Sequence, residues 1–107
     1  MLDDDADVYK NLAPYQYHGS VYGIIAAQRG DLKPMGEWNQ EEIRIQGDKI
    51  KVTLNGKVIV DGDIKAATKN GTLDKKNHPG LKNNSGHIGF LGHGTEVFFR
   101  NIRVKKI

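Results

Sequence analysis

The stretch from Glu41 to Val60 constrains this chain most. Ile43 and Ile45 alternate with Arg44 and Gln46, Gly47-Asp48 interrupts, and Ile50, Val52 and Leu54 resume the same two-residue period up to Asn55-Gly56. Alternation of this kind belongs to strands with one buried face, and Asn-Gly between two such runs is the strongest short-range hairpin signal. The register has two solutions. A two-residue turn on Asn55 and Gly56 sets Val52 opposite Ile59; a three-residue loop of Leu54, Asn55 and Gly56 sets Val52 opposite Val58 and Ile50 opposite Val60. The second gathers four β-branched residues on one face, with Gly56 in the left-handed conformation of a bulge, and is the expected one.

A second pair of runs closes the chain. Gly86 to Leu91 and Glu96 to Val104 flank a turn carrying Gly92, Gly94 and Thr95, which predicts a terminal hairpin. Ser20 to Ala26, with Val21, Ile24 and Ile25 around Gly23, predicts a further strand, and residues 28 to 37, with Gly30, Pro34 and Gly36, a connection. Residues 3 to 19 are polar and contain Pro14, a loop. Ile64-Lys65-Ala66-Ala67 fits either one helical turn or a short edge strand. Residues 69 to 85, rich in Lys, Asn and Gly, predict a long exposed loop of the length that is functional or disordered. The pattern sums to about six strands linked antiparallel, an all-β sandwich in a single domain over residues 1–107.

Composition narrows the function classes. With 107 residues and no cysteine, disulfides, thiolate metal sites and cysteine nucleophiles are excluded. No apolar run approaches the roughly 20 residues of a membrane span, and the acidic first residues do not make a signal peptide. The net charge of +3 divides unevenly, with Asp3, Asp4, Asp5 and Asp7 at one end and Arg100, Arg103, Lys105 and Lys106 at the other. The basic residues form no nucleic-acid-binding module.

The terminal runs, Gly36-Glu37-Trp38-Asn39 and the Asn55-Gly56 hairpin together resemble the 3-keto-disaccharide hydrolases, a family with the concanavalin A-like jelly roll of laminarinases and lichenases. The resemblance covers about residues 2 to 107 and corresponds to the C-terminal part of the family domain. It implies a carbohydrate partner, hydrolysis or lysis of glycosides oxidised at the 3-position, and a periplasmic or secreted bacterial setting. A non-catalytic sugar-binding or interaction module on the same fold is the alternative, because sites are grafted onto shared scaffolds. In this fold one strand of the concave sheet carries alternating acidic residues; the family strand reads roughly Glu-x-Gln-x-Leu-Asp, and only Leu2-Asp3 matches it here. Asp3 is thus the catalytic candidate implied by the resemblance, against an exposed place in an acidic tail.

Tyr22 and His93 match family positions, and Trp38 follows the Gly36-Glu37 pair. All three are expected at a substrate-binding cleft, since aromatic faces suit the C–H side of a pyranose; for Trp38 and His93 the competing expectation is packing at a sheet rim or in a turn. His87 and His93 fall about 20 Å apart along a regular strand, at ~3.3 Å per residue, too far to share one ion. Asp4, Asp5 and Asp7 offer oxygen ligands for a divalent cation. Arg100 is expected to be structural. A chain that exposes sheet edges is also expected to form a homo-oligomer.

Overall fold

The computed structural model describes residues 4–107, so Asp3 lies outside the described residues. Three strands, β1 (Glu41–Gln46), β2 (Lys49–Leu54) and β3 (Lys57–Asp63), form one antiparallel sheet in the order β1-β2-β3. A single helical turn, α1 (Ile64–Ala67), follows, capped by the Asp63 carboxylate, which accepts from the Ala66 N–H. Short 3-10 turns occupy Asp7–Tyr9, Pro14–Gln16 and Pro79–Lys82. The regular structure is therefore mostly antiparallel sheet.

The two hairpins follow from their turn residues. Gly47, at φ 60, and Asp48 join β1 to β2 with Gln46 paired to Lys49. Asn55 and Gly56, at φ 50 and 86, join β2 to β3 as the two-residue turn with both central residues left-handed. Leu54 pairs with Lys57 and Thr53 with Val58; the ladder then slips, and Val52 pairs with Val60. The three-residue loop is thus corrected. Val52 faces neither Val58 nor Ile59, because a bulge at Ile59 restores the face that the short turn alone would have lost. Both Ile59 and Val60 are buried, whereas Val58 is 41% exposed.

The core rests on β2 and β3. Ile50, Val52, Leu54, Ile59 and Val60 form it with Ala27, and Val21, Ile25, Leu32 and Ile64 pack at its margin. Burial of each such side chain stabilises by roughly 1.5–3 kcal/mol. Residues 17 to 32, which cover this face, are not a strand. At the expected strand of residues 20 to 26, Val21 and Ile25 bond each other across a tight turn, with Gly23 at φ 76. The left-handed glycine folds the run back, so Ile24 and Ala27 reach the core from irregular chain.

The cover stops short of β1. Ile43 and Ile45 stand directly opposite Val52 and Ile50, on the same face, yet remain 51% and 57% exposed. The terminal hairpin is corrected too: residues 86 to 107 carry no strand, and Phe98, Phe99, Ile102 and Val104 are exposed. The chain does double back, since the Phe90 and Phe99 rings lie 4.7 Å apart. Among the described residues no strand flanks this segment, so its alternating side chains have no ladder to join. Among the described residues, three strands stand where about six were expected.

Candidate functional site

Loop residues 69 to 85 are pinned to the irregular cover. The Asp74 N–H donates to the Gly23 carbonyl at 3.2 Å. The Asp74 carboxylate, only 6% exposed, accepts from the Thr72 hydroxyl at 2.8 Å and the Lys76 N–H at 3.0 Å. The His78 Nε2 lies 3.0 Å from each of its oxygens. Chiefly the His78 hydrogen bond, and then those of Lys76 and Thr72, overcome the cost of burial and hold the Asp74 carboxyl down at about 2. A Cβ at Gly23 would collide with this carboxylate, so a glycine is needed both for the turn and for the close approach.

Such a carboxylate fixes the imidazole. An ionised carboxylate only accepts, so the Nε2 of His78 must be protonated, and in the neutral ring Nδ1 is the nitrogen with the free lone pair. The ring is 29% exposed on its side-chain surface, within reach of a ligand. Tyr22, immediately before Gly23, is 58% exposed; its hydroxyl accepts from the Gln16 Nε2 at 2.6 Å, and its ring meets Tyr15 edge-on at 6.2 Å. The segment carrying the paired tyrosines and the loop carrying the carboxylate–imidazole pair are thus joined by the Asp74–Gly23 backbone hydrogen bond.

The other sequence-predicted residues lie apart from this junction in their contacts. Trp38 is 44% exposed, with the Arg100 guanidinium 3.9 Å over its ring. Arg100 is itself exposed, and its contact with Trp38 is a cation–π packing at the surface. His93 is exposed and makes no hydrogen bond or ion pair among the described residues. No hydrogen bond or ring contact joins Tyr22, Trp38 and His93 to one another among those residues.

The acidic N-terminal run is engaged elsewhere. Asp4 is buried and accepts the His18 N–H at 3.0 and 3.2 Å; His18 Nε2 lies 2.8 Å from the Glu41 carboxylate. Arg29 stacks over Tyr17 at 3.6 Å and donates to the Asp4 carbonyl and the Asp5 carboxylate. Asp4, Asp5, Arg29, Gly30 and Leu32 line a cleft of about 270 Å³. Among the described residues no group of three or more His, Asp or Glu side chains is placed to hold a metal ion, so Asp4, Asp5 and Asp7 are not gathered into the cation site their oxygen ligands offered. No helix is long and apolar enough to cross a membrane among the same residues.

Asp74 and His78 were not singled out from sequence. The signal lay in Thr72-x-Asp74-x-Lys76, the spacing of a side chain that caps its own turn, with a histidine four residues past the threonine-to-aspartate pair's end.

The antiparallel sheet is thus accompanied by exposed aromatic rings and an oriented imidazole on the loops beside it. Residues 1–105 match the family described as the 3-keto-alpha-glucoside-1,2-lyase-like domain, and the chain belongs to that family. It is 31% identical over 100 residues to a 3-keto-disaccharide hydrolase of Bacteroides thetaiotaomicron, covering 80% of this chain and 34% of that protein. A crystal structure from Parabacteroides distasonis, of a protein assigned as a glycosyl hydrolase, is similar at a TM-score of 0.54 and 39% identity, covering 57% of this chain and 32% of that one. The chain thus spans about a third of the length of these relatives.

Proposed function

We propose that this chain is part of a carbohydrate-active domain that cleaves 3-keto-glycosides, and that its sheet belongs to a concanavalin A-like sandwich. The family match over residues 1–105 carries the reading. The chemistry suits the family's description: a carbonyl at C3 acidifies the C2–H bond. A base removes that proton, the C–H electron pair forms C1=C2, and the C1–O bond breaks, its pair leaving on the aglycone oxygen, which takes up a proton. The products are a conjugated enone and an alcohol; water added at C1 completes a net hydrolysis. Tyr22 and Tyr15 offer the apolar surface on which a pyranose ring stacks. Asp3, Trp38 and His93 remain proposed cleft residues, and a periplasmic or secreted setting remains part of the proposal.

The exposed Ile43 and Ile45 support association with a second copy, which would cover them. The function is tested by incubating the chain with a 3-keto-disaccharide and following enone absorbance and sugar release. Cleavage is the expected outcome. Saturable binding of the sugar without enone or release would instead establish the non-catalytic binding module, and neither binding nor cleavage would refute both.

A further inference from the structure

We propose that His78 is the general base that takes the C2 proton, with Asp74 as its positioning residue; this rests on the 3-keto-glycoside reading above. Geometry carries it. The Asp74 carboxylate is held by the Thr72 hydroxyl and the Lys76 N–H, and its backbone N–H by the Gly23 carbonyl, which together orient it toward His78. Both carboxylate oxygens sit 3.0 Å from Nε2, which leaves Nδ1 as the basic atom. Nδ1 makes no hydrogen bond among the described residues. Pro79 follows and begins the Pro79–Lys82 turn, which restricts the His78 backbone to extended conformations. Tyr22, next to Gly23 in sequence and paired with Tyr15, is linked to this loop through the Gly23–Asp74 backbone hydrogen bond and offers an aromatic surface for the sugar. In the step, the Nδ1 lone pair accepts the C2 proton while the C1–O bond breaks, and the imidazolium formed is stabilised by the Asp74 carboxylate. The same imidazolium then returns its proton to the departing alkoxide, which leaves His78 as it began.

The chain is assayed with a 3-keto-disaccharide in deuterated buffer, reading both cleavage and deuterium uptake at C2. His78→Ala is expected to lose about 10²–10⁴-fold in rate with KM little changed, and imidazole added to the buffer to restore part of it. His78→Gln keeps an N–H for Asp74, and so keeps the loop pinned, yet should be as slow as His78→Ala and gain nothing from imidazole. Asp74→Asn should be slowed too, and the double variant should be no slower than His78→Ala alone, the non-additivity of groups that act as a unit. A wild-type chain that cleaves, with His78→Ala or His78→Gln equally fast, overturns the assignment and leaves the function standing. Deuterium uptake without cleavage, abolished in both His78 variants, keeps the base and overturns the lyase reading. Neither uptake nor cleavage in the wild-type chain overturns both.

Discussion

The Ile59 carbonyl, at the bulge in the β2–β3 ladder, accepts the Gln28 N–H at 2.9 Å. The residue that slips out of register is thereby the one that ties the irregular cover to the sheet. A buried carbonyl freed from a ladder must find a donor, and Gln28 supplies it. Gly19 sits against the same side chain: a Cβ there would strike Ile59 Cδ1.

Ile59→Ala should therefore cost about 2–5 kcal/mol and Val58→Ala less than about 1 kcal/mol. The three-residue loop inferred from sequence gives the reverse order. Urea unfolding of the two variants separates the registers.

The tip of this hairpin is a junction rather than a free turn. Asn55 Nδ2 donates to the Asp31 carbonyl and the Asn39 side chain, both at 2.8 Å, and its Oδ1 accepts the Gln40 N–H at 2.9 Å. Asn55→Ala, which also strains a left-handed position, should destabilise by about 1–3 kcal/mol. Asn55→Gly relieves the strain and loses only the hydrogen bonds, so its cost should fall below that of alanine. Equal losses in calorimetry would show that backbone strain contributes nothing.

Acid should loosen the Asp74 loop. A carboxyl whose folded-state pKa is depressed from 3.8 to about 2 favours folding in its ionised form. That contribution is complete above the unfolded value and fades as pH falls from about 4 to about 2. Unfolding midpoints of the wild type and Asp74→Asn should therefore differ at pH 6 and converge toward pH 2. A gap that stays constant over that range would mean the carboxylate is not stabilised by its partners.

Ile45→Lys places a charge on the uncovered end of the core face. Sedimentation should find the wild type heavier than its 11.9 kDa monomer and the variant closer to it. A wild type that sediments as a monomer at micromolar concentration would remove the second copy from the proposal.

What the sequence made legible was local. Gly47-Asp48 and Asn55-Gly56 announce their turns, and Ile50, Val52 and Leu54 announce the buried face of β2. Val58, Ile59 and Val60 are three β-branched residues in a row, so periodicity could not choose which of them is bulged; the Gln28 N–H decides, from 31 residues away. The apolar runs at residues 20 to 26 and 86 to 104 carry the composition of strands, but composition does not supply a neighbour to pair with. For the site, Tyr22 was singled out only through its match to the family pattern, whereas Asp74 and His78 meet through a loop whose shape follows no period. Asp3 lies outside the described residues, so its place in a cleft stays a proposal.

The cover over β2 and β3 has a consequence for synthesis. Residues 17 to 32 leave the ribosome before any of the sheet they cover, and the last strand ends at Asp63. At about 5–20 residues per second, Ile24 and Ala27 wait roughly 2–8 s for the sheet to be completed, beside a growing chain. The hydrogen bonds between Val21 and Ile25 need no partner from later sequence, so they are the contacts of this segment that can form during that interval and oppose its extension into a strand.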